Sequence, residues 1–329
     1  MKRRARMPPR IVPGDRWGGA MPNAWMRWSK FARPLARSLG WVLGLLALAL
    51  VAAQAWSRQE QWLPLWRQLQ ARDVVTVVGL CLMMQLLLGL AWHVFVHGRV
   101  VRDRLLGDQL RWGQSLLAKY LPGKIWQGVA RGALYARDRG SGAAFVLFVR
   151  EQLLSLGISA LIAAAAAPAA LSPRLGVGFQ CAFFAAAAAL TWIAMLKRLP
   201  EPVMDRLPAI VRDGIAECPD AATMRRVWVL QLAGYVAMCA AFALLAASFG
   251  LRLDALRLSA ALCFAGLAGV AALFVPAGLG VREAGLFWCL SPLIGAANAA
   301  MLALAWRVAI TFAEALFALL SFVVGMRRR

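Results

Sequence analysis

Charged residues are scarce in this sequence: Asp, Glu, Lys and Arg make up 16% of its 329 residues, against about 25% in soluble domains. Hydrophobic residues reach 61%, and they collect in blocks of roughly 18–27 residues, each long enough to cross a hydrocarbon layer about 30 Å thick. This composition excludes an ordinary soluble domain, a disordered chain, a collagen and a disulfide scaffold. The sequence predicts an all-α polytopic membrane helix bundle.

Several chemical motifs are also absent. The six cysteines include no CxxC pair, which argues against a metal site or a disulfide framework. No HExxH, DxD or GxxxxGK[ST] string occurs, so zinc-protease, metal-dependent transferase and P-loop chemistry are not indicated. We therefore expect no cofactor, no metal and no enzymatic activity.

The cations lie mainly between the apolar blocks. Lys and Arg number 37 against 15 Asp and Glu, a formal net charge of +22. If the N-terminus is inside, the inner segments hold 30 cations and the outer segments six. By the positive-inside rule, both termini are predicted to be cytoplasmic, in a bacterial inner membrane. The expected partner of this face is anionic lipid rather than nucleic acid.

About eight spans are predicted, and the seventh is short enough to cross incompletely. Residues 1–37 are interpreted as a basic cytoplasmic segment and 326–329 as a basic tail. The integral-membrane domain is 38–325, with a division into halves at 38–196 and 227–325. The predicted spans are 38–56, 74–96, 152–171, 175–196, 227–250, 258–276, 284–297 and 299–325.

A first break interrupts the moderately apolar segment 112–131, WGQSLLAKYLPGKIWQGVAR. Proline cannot continue a helix and glycine permits a sharp reversal, so Pro122-Gly123 predicts two helices joined by a turn. The second helix can begin near Lys124, where its free amide groups favour an anion. The segment therefore predicts an anion site at the cytoplasmic boundary, formed by Lys119, Lys124 and Arg131. The alternative is an interfacial hairpin whose cations meet lipid headgroups.

A second break lies at 274–285, FVPAGLGVREAG. Pro276, Gly278 and Gly280 interrupt an apolar helix, and Arg282-Glu283 follow where the next helix begins. Irregular backbone at membrane depth requires cover by protein or a watery cavity. We expect Arg282 to bind a headgroup phosphate. The alternative is an internal ion pair between Arg282 and a glutamate.

Arg307 and Glu314 lie within the last span, seven residues apart and so on one helix face. They are about 10 Å apart along the helix axis, too far for direct contact. Each therefore needs a partner on another helix. The expected partners are Glu283 or Glu151 for Arg307, and Arg282 or Arg150 for Glu314; Glu283 or Glu314 is also expected to hold Arg282 when the site is empty.

Other polar residues in or near the spans receive separate interpretations. Arg150 and Glu151, at the predicted start of the third span, are assigned to the same charge network as Arg307 and Glu314. His93 and Gln85 in the second span are expected to have hydrogen-bonded structural roles. Asp108, which lies among arginines, is expected on a solvated, salt-bridged surface.

The two breaks lie in comparable places in the two halves, a pattern typical of transporter sites. Four strings carry a resemblance: AKYLPGKIWQGVAR, REQLLSLGISAL, FVPAGLGVREAG and LAWRVAITFAEALFAL. Together they resemble the lysylphosphatidylglycerol synthase transmembrane family, also called the flippase-domain family, over about residues 35–325. The matching positions are Tyr120, Pro122, Gly123, Lys124, Pro276, Gly278, Gly280, Arg282, Glu283, Trp306 and Arg307.

The resemblance implies a function in lipid translocation. In the two-part enzymes of the family, the membrane part moves a finished lipid across the bilayer and a soluble domain synthesises it. Because the chain stops at Arg329, we expect a stand-alone member without the synthase domain. The expected substrate is a phospholipid or lipid-linked intermediate with a phosphate-containing headgroup. Its predicted binding residues are Lys119, Tyr120, Lys124, Arg131, Arg282, Glu283, Arg307 and Glu314.

Two other functions stay open at the level of sequence. The first is an integral-membrane glycosyl- or phospho-transferase acting on a polyprenyl carrier, which would need clustered carboxylates or a metal. The second is a non-catalytic membrane partner of an envelope-lipid biosynthesis complex. The protein partner would then be a second copy of the chain or a biosynthetic enzyme.

Overall fold

A computed structural model describes residues 69–121, 125–170, 173–196, 201–206, 219–272 and 275–327, with isolated positions between 49 and 67 and at 212 and 215. The described residues form helices and turns and contain no β-strand. Two 3₁₀ turns accompany the helices, at Leu117–Tyr120 and Pro276–Gly278. The α-helices are α1 Ala71–His97, α2 Arg102–Leu116, α3 Trp126–Leu134, α4 Ser141–Ala170, α5 Pro173–Met195, α6 Glu201–Met204, α7 Ala221–Ser248, α8 Ala255–Ala271, α9 Val281–Ile294 and α10 Ala296–Met326.

The helices confirm an all-helical membrane architecture. Within the described residues, α1, α4, α5, α7 and α10 contain the five segments long and apolar enough to cross a bilayer, and α8 is a shorter apolar helix. Helix α9 has 14 residues and therefore rises only about 21 Å, less than the hydrocarbon thickness. Helices α1, α4, α5 and α7–α10 coincide with predicted spans, whereas the predicted span 38–56 lies largely outside the described residues.

The third predicted span is wrong at its start. Helix α4 begins at Ser141, well before the predicted residue 152, so Arg150 and Glu151 lie inside the helix and not at its end. Both side chains are buried. The hydropathy of the sequence does not predict this longer helix, because Arg150 and Glu151 interrupt the apolar run. The two charges can lie inside the helix only because residues elsewhere in the chain bind them.

The bundle is assembled from long helices that pack pairwise. Helix α1 lies along α7, α4 lies along α5, and α8 packs against both α4 and α9. Small residues bring α4 and α5 close together: a Cβ atom on Gly157 would lie 2.8 Å from the Thr191 hydroxyl oxygen. Such close approach is the usual basis of helix association in membranes.

The two sequence breaks meet inside this bundle. Helix α2 ends at Leu116 and packs against α10, while α3 begins at Trp126 and packs against α4. The turn Leu117–Tyr120 contacts the turn Pro276–Gly278. The second break has left-handed backbone, with φ of 65° at Gly278, 78° at Gly280 and 49° at Ala277. Pro122 and Gly123 lie outside the described residues.

Candidate functional site

A cavity of about 410 Å³ lies between the two breaks, and α1–α4 and α7–α10 contribute to its wall. It is lined by seven of the eight predicted binding residues, and the eighth, Lys124, lies outside the described residues. Among the residues that the structure describes, four cations and three carboxylates line this cavity. They are Lys119, Arg131, Arg282, Arg307, Glu151, Glu283 and Glu314.

Glu314 on α10 is held by the turn that precedes the first break. Its carboxylate forms an ion pair with Lys119 and accepts a hydrogen bond of 2.7 Å from the Tyr120 hydroxyl. The Lys119 ammonium also lies 5.4 Å from the centre of the Tyr120 ring. The turn reaches Glu314 because α2 packs against α10. Arg282 and Arg150, the partners expected for Glu314, do not form its ion pair.

Glu283 pairs with Arg307, one of the partners expected for Arg307. The distance from the Arg307 Nη1 atom to the Glu283 Oε1 atom is 3.3 Å. Glu283 is buried, and its other oxygen, Oε2, has no hydrogen-bond partner among the described residues. The pair connects the first turn of α9 to α10, at the wall of the cavity.

Arg131 on α3 pairs with Glu151 on α4, and both side chains are buried, at 1% and 2% exposure. The guanidinium carbon lies 3.9 Å from the ring centre of Trp112 and 4.4 Å from that of Trp92. Its Nε atom donates to the Ser115 hydroxyl at 3.3 Å. Arg131 is therefore fixed by a carboxylate and by aromatic rings, and is not a free anion-binding cation.

Arg282 forms no ion pair at contact distance with Glu283 or Glu314, the two glutamates expected to hold it, although its charge still interacts with the Glu314 carboxylate. Glu283 is engaged by Arg307, and Glu314 by Lys119. No described residue forms an ion pair with Arg282, and its buried Nε atom lacks a hydrogen-bond partner within the same part of the chain.

The position of Arg282 is set by two glycines. A Cβ atom on Gly269 would lie 2.4 Å from the Arg282 Cγ atom, and one on Gly278 would lie 3.1 Å from its Nε atom. Arg282 is also the second residue of α9, so its guanidinium and the first amide groups of that helix can act on one anion. The glycines therefore form a slot that directs a cation into the cavity.

Within the described lining, the pairing leaves one positive charge without a carboxylate at ion-pair distance. Each of the three carboxylates in the described lining pairs with one of the cations Lys119, Arg131 and Arg307, so Arg282 remains. Arg282 is partly buried, so its charge is less well hydrated than on an open surface, and an anion that pairs with it compensates for the lost hydration. The electrostatics of the described lining therefore favour an anionic ligand.

Arg150 does not face this cavity. It donates hydrogen bonds to the backbone oxygens of Ala194 at 3.2 Å, Leu196 at 2.9 Å and Ile215 at 3.3 Å. Arg150 therefore connects α4 to the end of α5 and the segment beyond it. Its sequence neighbour Glu151 lies on a different face of α4 and pairs with Arg131.

A second polar cluster lies where α1 ends. Asp108 accepts hydrogen bonds from His93 at 2.7 Å, His97 at 2.8 Å and the Tyr135 hydroxyl at 2.7 Å. Asp108 is 3% exposed, so the predicted solvated surface is wrong, whereas the predicted salt bridge is present, with the Arg111 Nη1 atom 3.8 Å from Oδ1. The buried His93 and the partly buried His97 donate the hydrogen bonds that compensate for the burial of Asp108. Sequence reasoning did not predict this pairing. The hydrogen-bonded role predicted for His93 is confirmed.

His93, His97 and Asp108 are close enough to resemble a metal site, but the hydrogen bonds favour another interpretation. The backbone N–H of Val101 donates to the His93 Nε2 atom at 2.9 Å. The His93 proton must then reside on Nδ1, where it is donated to Asp108, and a protonated nitrogen cannot bind a metal. Burial, and then the charge of Asp108, raise the pKa of Tyr135, so its hydroxyl remains a donor.

Several cavity residues were not assigned to the binding site from the sequence, although Glu151 was assigned to the charge network. Helix α4 presents Glu151, Ser155 and Ser159 to the cavity, and their spacing of four residues in an apolar helix is a signal that could have revealed them. Gln85, expected to be structural, accepts a hydrogen bond of 3.3 Å from the Trp112 indole. The cavity is therefore polar at sites besides its charged residues.

These features define an integral membrane protein whose helices enclose a cationic cavity between two broken segments. The chain belongs to the family described as the lysylphosphatidylglycerol synthase TM region, whose model matches residues 25–318. This match confirms the resemblance carried by the four sequence strings. A search of curated proteins gives no match to the chain.

Proposed function

We propose that this protein translocates a phospholipid or lipid-linked intermediate with a phosphate-containing headgroup across the membrane. The observation that carries the proposal is Arg282, a cation without a carboxylate partner among the described residues, directed into a cavity by two glycines. A planar guanidinium matches two phosphate oxygens, and such a pair is stronger in a dry cavity than in water.

In this mechanism the headgroup enters the cavity while the acyl or prenyl chains stay in lipid. Arg282 binds the phosphate, and the pairs Lys119–Glu314 and Arg307–Glu283 keep the other cations neutralised. The energy comes from an ion gradient, the membrane potential or the lipid gradient. Both termini are proposed to be cytoplasmic in a bacterial inner membrane, where the basic ends of the chain contact anionic lipid.

The state of the carboxylates supports transport over group transfer. A general base must be available to accept a proton from a reacting group. Within the described lining, each of the glutamates Glu151, Glu283 and Glu314 is instead paired with a cation. We therefore propose a protein that moves its lipid unchanged.

The experiment compares wild-type protein with Arg282→Lys and Arg282→Ala in liposomes that contain a fluorescent phospholipid. Transport is measured as the rate at which a membrane-impermeant quencher gains access to the lipid. A charge-assisted hydrogen bond contributes about 1.5–3 kcal/mol, so Arg282→Lys should slow transport roughly 10- to 100-fold, because lysine lacks the planar fork. Thermal stability in detergent should be retained in Arg282→Lys.

Arg72→Lys is the matched control, because Arg72 has a side chain 78% exposed at the start of α1 and should transport like wild type. Full transport by Arg282→Ala would remove Arg282 from the mechanism. Chemical turnover of the lipid would instead indicate a transferase. Absence of both transport and turnover in the wild-type protein would favour a non-catalytic partner.

A further inference from the structure

The second break contains a backbone conformation that its own side chain disfavours. Ala277 has φ 49° and ψ 15°, and within the described part of the chain it is the one residue other than glycine with positive φ. Gly278 and Gly280 also have positive φ, which glycine adopts readily because it has no Cβ atom. For alanine, the left-handed region is disfavoured roughly 5- to 30-fold. Such strain persists only where the surrounding structure holds it in place.

Two neighbours hold the strained residue, one on each side. Helix α8 lies on one side, and the approach is close: a Cβ atom on Gly278 would lie 3.0 Å from both the Cα atom and the carbonyl oxygen of Gly269. On the other side, the turn Leu117–Tyr120 contacts the turn Pro276–Gly278. Ala277 itself lines the cavity. The strained backbone therefore lies at the point where the two breaks close the cavity wall.

One carboxylate fixes the turn Leu117–Tyr120 against the rest of the bundle. Glu314 pairs with Lys119 and accepts a hydrogen bond of 2.7 Å from the Tyr120 hydroxyl. None of the four residues of this turn is fully buried, and Leu117 is 46% exposed. Apolar burial therefore contributes little to holding the turn, and the two contacts with Glu314 supply much of the attachment.

We propose that residues 276–280 form a strained hinge and that Glu314, acting through the turn Leu117–Tyr120, is the latch that keeps it closed. Release of the latch separates the two turns and opens the cavity. Relaxation of Ala277 to an ordinary backbone conformation favours the open form, and the contacts of Glu314 oppose it. This inference goes beyond the proposed function, because it concerns how the cavity opens, whatever ligand the cavity binds.

The test uses a native cysteine as the reporter of opening. Cys263 lines the cavity and is 1% exposed, so a thiol reagent reaches it only after the cavity opens. The purified full-length protein is treated with N-ethylmaleimide, and the alkylation rate of each cysteine is measured by mass spectrometry of its peptide. Cys81 is 0% exposed and lies outside the cavity lining, so it reports general loosening of the bundle. The exposed Cys181 reports the activity of the reagent.

Two variants should change the Cys263 rate in opposite directions. Ala277→Gly removes the strain of the closed form, so alkylation of Cys263 should slow by about fivefold. Tyr120→Phe removes one hydrogen bond to the Glu314 carboxylate without changing any charge, so alkylation should become roughly tenfold faster or more. The double variant should return toward the wild-type rate. Ala272→Gly is the matched control, since Ala272 has φ −74° and glycine there releases no strain; it should not slow the reaction.

The outcomes separate a hinge from a merely structural turn. A wild-type Cys263 rate in Ala277→Gly would overturn the hinge, and this variant decides the question alone if Tyr120→Phe does not fold. Equal acceleration of Cys81 and Cys263 in Tyr120→Phe would overturn the latch, because it would show that the whole bundle loosens. The measurement contains no added lipid, so its failure leaves the proposed function standing. Full transport by Arg282→Ala would remove Arg282 from the mechanism and leave the hinge intact.

Discussion

Gly269→Ala should displace Arg282 without removing a single polar atom. The added Cβ would lie 2.4 Å from the Arg282 Cγ atom, 2.8 Å from Nε and 3.1 Å from Cδ. Carbon atoms in contact prefer about 3.5–4.0 Å, so the side chain must move by roughly 1 Å or more. The contact falls near the base of the side chain, and a rotation there carries the guanidinium with it.

The change in stability caused by Gly269→Ala is the sum of two opposing contributions. Replacing glycine by alanine within a helix stabilises it by about 0.8–1 kcal/mol, whereas overpacking a fitted site costs typically 1–3 kcal/mol. The net change in stability is therefore small, at most about 2 kcal/mol. Losing the alignment of Arg282 removes about 1.5–3 kcal/mol from binding of a phosphate, which corresponds to roughly 10- to 100-fold in affinity.

Gly266→Ala provides the control for this experiment. Gly266 lies on the same helix and lines the same cavity, but nothing lies within 4 Å of its added Cβ. Phospholipid binding and liposome transport should therefore fall in Gly269→Ala and stay near wild type in Gly266→Ala, with similar melting temperatures for both. Wild-type transport by Gly269→Ala would refute the idea that the glycine slot positions Arg282.

Three further predictions concern stability and topology. Asp108→Asn should lower stability by roughly 3 kcal/mol, seen as a lower melting temperature in detergent, since an amide cannot accept all three hydrogen bonds that the carboxylate accepts. Arg307→Gln should destabilise the protein by about 3–5 kcal/mol, because it leaves the buried Glu283 carboxylate unpaired. Glu283→Gln should cost less, since Arg307 is 16% exposed, and the double variant should cost less than the sum of the two. Reporter fusions to Met1 and to Arg329 should both give cytoplasmic signals, and a periplasmic signal from either would refute the predicted topology.

Much of the helical framework was accessible from the sequence because its signals are local. A long apolar run between polar segments is sufficient to predict α1, α7 and α10. A proline followed by closely spaced glycines is sufficient to predict that the backbone is interrupted at Pro276–Gly278. The start of α4 was missed because Arg150 and Glu151 interrupt the apolar run, and their burial depends on residues elsewhere in the chain.

The charge pairs were harder to predict from the sequence, because they depend on contacts between residues that are far apart in the chain. The partner of Glu314 is Lys119, which is remote in sequence, whereas the residues considered for it were Arg282 and Arg150. Arg131 and Asp108 were assigned to open sites although both are buried with partners. Sequence spacing identifies residues that share a helix face, but it does not show which helix packs against that face.

The paired charges are better explained by ligand release than by stability. A buried ion pair is weak evidence for stability, since apolar residues of similar volume often serve as well. If Glu151, Glu283 and Glu314 were apolar, four cations would line the cavity, and a bound phosphate would be held too strongly to leave. With each glutamate paired, the described lining presents the single excess charge of Arg282. A translocator must bind its cargo strongly enough to admit it and weakly enough to release it. Under the proposed function, Arg282 binds the phosphate, and the three glutamates limit the affinity by neutralising the other cations.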